Sequence, residues 1–104
     1  MNDYLRGKIE SYCYQVNRGK PAAALPVKEK YLEETKRLIK SHSLKLINKD
    51  LSQNWTTVWI YKHGHLKEII NKLQQAPESK FDHWVLGKLF GYSEIEIGNY
   101  INQL

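Results

Sequence analysis

Apolar residues recur at helical spacing through much of this 104-residue chain. In residues 4–17 they fall three and four positions apart, as on one face of a helix: Leu5, Ile9, Tyr12, Cys13 and Val16. Asn2 or Asp3 is suited to cap the start of this helix, and Gly19 follows its end. Because Cys13 lies on the apolar stripe, we expect a small core residue rather than a reactive thiol.

The same pattern predicts four more helices, at residues 27–42, 66–75, 81–90 and 93–104. Between the first two predicted helices, Pro21 and Pro26 prevent a helix from running through residues 19–27. The middle of that segment is Ala-Ala-Ala-Leu, too apolar for a free linker. We therefore expect an ordered connection that lies on the core.

Residues 43–61 are ambiguous. The β-branched and aromatic run at residues 55–61 favours a strand, with a hairpin partner just before it. A helical register nevertheless continues from Leu51 to Leu73, and a lone hairpin without a third strand is marginal. The expected fold is thus mainly α, a small single-domain bundle of four to six helices over residues 1–104. The alternative is α+β with one β-hairpin at about residues 44–61.

The net charge of +5 lies entirely in the first half of the chain. Residues 1–50 hold eleven Lys and Arg against six Asp and Glu, whereas residues 51–104 hold five of each. A basic half favours a polyanionic partner, although a background composition rich in lysine, isoleucine and asparagine also explains it. The candidate phosphate-binding residues are Arg6, Lys8, Arg18, Lys20, Lys36, Arg37 and Lys40.

Residues 86–101 have the spacing of a helix-turn-helix, with Gly87 at the helix crossing and Gly91 in the turn. A DNA-reading helix presents Arg, Lys, Asn or Gln near its N-terminus. This helix presents Ser93, Glu94 and Glu96, whose carboxylates repel the phosphate backbone. Ser93 and Glu96 also have the spacing of a capping box. The stretch therefore favours a structural hairpin over a DNA reader.

Catalytic and metal chemistry finds little support in the sequence. The four histidines have no spacing typical of a zinc site, and no nucleophile–base arrangement has a supporting context. We expect a non-enzyme without metal or cofactor. A single cysteine, no recognisable signal peptide and no long apolar run predict a cytoplasmic protein without membrane contact.

Three tryptophans and seven tyrosines are many for 104 residues. Trp55, Trp59 and Trp84 fall on core stripes, where packing explains them, but tryptophans with one polar edge are also favoured at binding hot spots. The candidate protein contacts are Trp55, Trp59, Tyr61 and His63. We expect a small non-enzymatic intracellular interaction module that regulates or inhibits a larger protein partner. Its size and composition are typical of an accessory protein of a phage or mobile element. The alternative function is nucleic-acid binding through the basic first half, and the oligomeric state is left open.

Overall fold

The computed structural model describes residues 1–73 and 76–104 and shows an α+β mixture. The elements follow one another as α1 (Asp3–Asn17), β1 (Ala22–Lys28), a 3₁₀ turn (Glu29–Tyr31), α2 (Leu32–Ser41), β2 (Lys45–Ser52), β3 (Trp55–Tyr61), α3 (Leu66–Lys72), α4 (Lys80–Leu89) and α5 (Glu94–Asn102). The expected α+β alternative with a hairpin at about residues 44–61 fits this architecture better than the helical bundle does.

The three strands form one antiparallel sheet in the order β1-β3-β2. The last strand in the sequence is therefore the central one, and β1 pairs with it from Ala22↔Tyr61 to Lys28↔Trp55. On its other side, β2 pairs with β3 and has an irregularity between Asp50 and Ser52. Because both edge strands are antiparallel to β3, they run parallel to each other, with α2 as the crossover of a split β-α-β unit.

Helices cover both faces of the sheet. On one face, α1 and α2 pack on a core of Ile9, Cys13, Val16, Ala23, Leu25, Val27, Ile39, Leu44, Val58 and Ile60. On the other face, α3 and α4 pack on a second core of Ala22, Trp59, Tyr61, Leu66, Ile70 and Leu89. The helix α5 lies against α4, where Ile97 meets Gly87. The expectation that Cys13 is a core residue is confirmed, since its exposed fraction is zero.

The preferred helix across residues 43–61 is wrong, because a third strand exists. The segment expected to be a connection, residues 19–27, supplies β1. Pro26 is compatible with β1 because β1 is an edge strand, where a missing backbone N–H is tolerated on the solvent side. A central strand buried on both faces has no alternation of apolar and polar residues. The run from Val58 to Tyr61 is of this kind, and for that reason it also satisfies a helical register.

Two predicted helix boundaries also shift. The helix expected at residues 27–42 begins only at Leu32, because Val27 and Lys28 still pair with β3. The helix expected at residues 66–75 ends at Lys72, and the remainder of that prediction falls partly on Gln74 and Gln75, outside the described residues.

The α4–α5 hairpin is built by two glycines. Gly91 has a φ of +81°, a left-handed conformation in which glycine carries no steric cost. It ends α4 in a Schellman motif: the N–H of Tyr92 donates to the Gly87 carbonyl at 2.9 Å, and that of Gly91 to the Lys88 carbonyl at 3.1 Å. The predicted capping box of Ser93 and Glu96 is confirmed at the start of α5.

The close approach of Ile97 to Gly87 predicts that a larger residue at position 87 destabilises this hairpin. A Cβ at this position would lie 2.6 Å from Cγ1 of Ile97, a stiff β-branched side chain that is itself buried. Gly87→Ala is therefore expected to lower the free energy of unfolding by about 1–3 kcal/mol, as overpacking does. Guanidinium denaturation measures the change.

Gly98→Ala is the matched control, because nothing lies within 4 Å of a Cβ added there. Because alanine has a higher helix propensity than glycine, this variant is expected to raise the free energy of unfolding by up to about 1 kcal/mol. Equal stability of the two variants would show that α4 and α5 do not cross at Gly87.

Candidate functional site

The four predicted protein-contact residues separate into core and surface. Trp59 and Tyr61 are buried, with exposed fractions of 7% and 3%. The Trp59 ring stacks on Phe90 with a centroid distance of 5.5 Å, so its aromatic surface is occupied within the protein. Trp55 is 36% exposed at the start of β3, and His63 is exposed beyond its end. Only Trp55 and His63 are thus placed to touch a partner, and they lie at opposite ends of β3.

The basic residues predicted on α1 do not form one surface. Arg6, Lys8 and Arg18 point in directions roughly 80° to 160° apart at about 100° per residue of an α-helix. Two of them also interact with tyrosines. Arg18 donates to the hydroxyl of Tyr14 at 2.7 Å, and the Lys8 ammonium lies 5.8 Å from the ring centroid of Tyr12.

Lys20, which follows α1, packs between aromatic rings. Its ammonium lies 5.8 Å from the Tyr12 centroid and 5.9 Å from the Phe90 centroid. It also donates to the side-chain amide oxygen of Gln15 at 3.3 Å. Lys20 thereby connects the two helical layers at the edge of the sheet, and this structural role explains its presence without a ligand.

The basic residues on α2 do form one surface. Lys36, Arg37 and Lys40 fall within a sector of about 100° of the helix. We call these three residues the α2 stripe. Within the described ranges, the only one with an ion pair is Lys36, whose ammonium lies 3.5 Å from Glu33. The part of the predicted phosphate-binding set that is coherent in space is thus the α2 stripe.

An exposed apolar surface lies elsewhere, between α3 and α4. A cavity of about 570 Å³ opens there, and its apolar lining includes Leu66, Ile69, Leu73, Phe81, Trp84 and Val85. We call it the α3–α4 groove. Phe81 is 70% exposed, Ile69 40% and Trp84 39%, so three large apolar side chains project into solvent side by side. We therefore treat this exposed apolar surface as a candidate interaction site.

The Trp84 side chain in this groove is held in place by charged neighbours. Its indole N–H donates to Oε2 of Glu94 at 3.3 Å, and the Lys88 ammonium lies 5.5 Å from its ring centroid. Lys88 also forms an ion pair with Glu94. These hydrogen bonds from Lys88 and Trp84 lower the pKa of the Glu94 carboxyl. A fixed aromatic ring loses little conformational freedom when a partner binds.

The start of α5 is negatively charged, as the sequence predicts. Besides Glu94, the carboxylate of Glu96 accepts a hydrogen bond from the backbone N–H of Ser93 at 3.1 Å, which lowers its pKa. Both carboxylates lie where a helix-turn-helix presents its reading helix to phosphates. The chemistry of this helix end is unfavourable for DNA.

Two ionisable groups, one buried and one half-buried, have structural explanations. Burial, with a smaller contribution from Glu10, raises the pKa of the Cys13 thiol to about 11, so the nucleophilic thiolate is scarce at neutral pH. Lys49 on β2 donates to the carbonyls of Ile70 and Leu73, the latter at 3.0 Å. It thereby caps the C-terminus of α3, and burial lowers the pKa of its ammonium.

Phe81, Ile69 and Trp84 are absent from the contact residues predicted from the sequence. The signal was present in the composition of α4 and the residue after it, where Phe81, Trp84, Val85, Leu86, Leu89 and Phe90 are apolar. These residues cover more than the single stripe that a helix needs to pack on a sheet. The excess face is the one that forms the groove with α3.

In the described part of the chain, no helix is long and apolar enough to cross a membrane, and no three His, Cys, Asp or Glu side chains are grouped to hold a metal ion. Comparison of the chain with family models, curated proteins and solved structures finds no match.

Alanine substitution of each tryptophan on β3 is expected to reduce the stability by a different amount. Trp59→Ala removes a buried, stacked ring and is expected to lower the free energy of unfolding by about 3–5 kcal/mol. Trp55→Ala removes a partly exposed ring with the Lys28 ammonium 5.6 Å from its centroid, and about 1 kcal/mol is expected. Chemical denaturation distinguishes the two, and equal losses would contradict the assignment of Trp59 to the core and Trp55 to the surface.

Proposed function

We propose that this protein is a non-enzymatic interaction module that binds a larger protein through the α3–α4 groove. The observation that carries the proposal is the exposed apolar surface of Ile69, Phe81 and Trp84. Aromatic residues that project from a cleft and are already fixed in orientation are typical binding hot spots. The proposed function is the one expected from the sequence, but the proposed contact surface lies on α3 and α4 instead of β3.

The shape and charge of the groove favour an acidic amphipathic helix as the bound segment. Two helices flank an apolar floor, and a third helix fits such a groove with residues spaced three and four apart. The polar residues of the lining are Lys72, Lys88 and His65 against one carboxylate, Asp82. Asp82 already accepts a hydrogen bond from the backbone of Glu78 at 3.1 Å. Lys72 is paired with Glu68 at 3.0 Å and Lys88 with Glu94. Acidic residues flanking the apolar face of a partner helix would replace these exposed carboxylates at the two lysines.

A selection from displayed peptides of about 16 residues tests this proposal, because that length spans a helix of four turns. Selected sequences are expected to be acidic amphipathic helices. Phe81→Ala and Trp84→Ala are each expected to weaken their binding at least 30-fold, the loss typical of a hot spot. Isothermal titration calorimetry measures the affinities.

Trp55→Ala is the matched control, since Trp55 and Trp84 are similarly exposed but lie on different surfaces. It is expected to leave peptide affinity unchanged. If selection yields no peptide, or if the selected peptides bind Phe81→Ala and Trp84→Ala as well as the wild type, the groove does not bind helices and the proposal fails.

A second candidate function is nucleic-acid binding through phosphates, and the α2 stripe is the observation that favours it. Three cations within one sector of a helix can contact successive phosphates, whereas the scattered cations of α1 cannot. Binding of this kind weakens steeply with salt, because bound counterions are released.

Two double variants that change the net charge of the protein by the same amount test whether the α2 stripe binds nucleic acid. The double variant Arg37→Glu, Lys40→Glu is expected to weaken binding to a mixed-sequence oligonucleotide at least tenfold. The slope of log K against log salt concentration is expected to fall by the equivalent of about two phosphate contacts. Arg6→Glu with Lys8→Glu is expected to have a smaller effect. Fluorescence anisotropy at low and near-physiological salt provides the affinities. Equal losses in both variants would show that only net charge matters.

A further inference from the structure

A pocket at the tip of the β2–β3 hairpin has chemistry that neither proposal uses. It lies where β1 ends and β3 begins, encloses about 580 Å³, and is lined by Lys28, Glu29, Lys30, Gln53, Asn54 and Trp55. We call it the hairpin-tip pocket. It combines one exposed aromatic ring, two ammonium groups and two side-chain amides, and its residues belong to neither the α3–α4 groove nor the α2 stripe.

The walls of this pocket are fixed by the backbone. Gln53 and Asn54 form a two-residue turn in which Asn54 has a φ of 65°, a conformation that asparagine tolerates. The Asn54 carbonyl accepts a hydrogen bond from the backbone N–H of Glu29 at 2.9 Å. The turn of one hairpin is thereby attached to the end of β1, and the pocket between them is preformed.

The side chains of the pocket match the requirements of single-stranded nucleic acid. Proteins that bind single strands stack bases on aromatic rings beside positive charges that hold the backbone. Trp55 provides a ring, with the Lys28 ammonium 5.6 Å from its centroid. The amides of Gln53 and Asn54 provide the donor and acceptor pairs that bind base edges. Duplex DNA presents no free base face, so this chemistry discriminates between the two forms.

The surrounding charges orient the ligand. The carboxylate of Glu29 lies in the pocket lining and disfavours a phosphate at its centre. A base over Trp55 therefore fits better, with phosphates outside, near Lys28 and Lys30. Lys30 lies in the 3₁₀ turn that leads directly into α2.

We propose that the hairpin-tip pocket binds a base of single-stranded nucleic acid by stacking on Trp55, while Lys28 and Lys30 contact the flanking phosphates. The base takes the place of the Lys28 ammonium over the indole ring, and the flexible lysine stem moves that ammonium to a neighbouring phosphate. The inference shares its ligand class with the second candidate function but rests on different residues. It is independent of the α3–α4 groove.

Fluorescence anisotropy with a short labelled oligothymidine tests the inference. Trp55→Ala is expected to weaken binding at least tenfold, within the range measured when a stacking aromatic is replaced by alanine. Trp55→Phe retains a ring and is expected to restore most of the affinity. Trp84→Ala is the control for loss of a surface tryptophan and is expected to bind like the wild type. Circular dichroism verifies that each variant is folded.

Two further probes separate stacking from attraction of phosphates. An abasic oligonucleotide with the same number of phosphates is expected to bind wild type as weakly as oligothymidine binds Trp55→Ala. Polyglutamate competes for positive charge alone and is expected to displace oligothymidine poorly at near-physiological salt.

The inference is overturned if wild type binds no oligothymidine at low salt, or if Trp55→Ala and the wild type bind it equally. Equal binding of abasic and normal strands also overturns it, because the contact would then be to phosphates only. If Trp55→Ala binds normally while the double reversal at Arg37 and Lys40 does not, the second candidate function stands and this inference fails. The reverse result would place nucleic-acid binding at the hairpin tip and not on α2.

Discussion

Burial of β3 on both faces is the constraint on which the rest of the structure depends. Its Val58 and Ile60 side chains belong to the core under α1 and α2, while Trp59 and Tyr61 belong to the core under α3 and α4. The strand therefore links the packing of one helical layer to that of the other. The stack of Trp59 on Phe90 fixes the end of α4 against the sheet. The apolar groove next to it exists because α4 is held there.

The three candidate surfaces are separated by this same sheet. The α2 stripe lies in one helical layer, the α3–α4 groove in the other, and the hairpin-tip pocket at the end of the central strand. The charge distribution agrees with the division, since the first half of the chain carries the whole net charge of +5 and the second half is neutral. A neutral layer with exposed apolar side chains is suited to contact protein, whereas the cations of the other layer are suited to contact phosphates.

The α4–α5 hairpin shows why helix-turn-helix spacing is a weak indicator of DNA binding. Its small residue, its turn glycine and its apolar anchors each have a packing role, because Gly87 admits Ile97 and Gly91 closes a Schellman motif. Any tight crossing of two helices imposes the same requirements. A DNA-binding helix-turn-helix is distinguished by the side chains at the exposed N-terminus of its second helix. In this protein, hydrogen bonds hold Glu94 and Glu96 at that position.

The sequence by itself determined features that depend on neighbours along the chain. These are the helices α1, α4 and α5, the capping box, the turn at Gly91 and the unequal distribution of charge. Only the tertiary structure decided that residues 55–61 form a strand, because their pairing partner in β1 lies about thirty residues away and is itself recognisable as a strand only once paired. It also decided which tryptophan is buried. Trp55, Trp59 and Trp84 all satisfy an apolar stripe, but exposure depends on which helix covers each position, and the spacing of residues along one element carries no information about that.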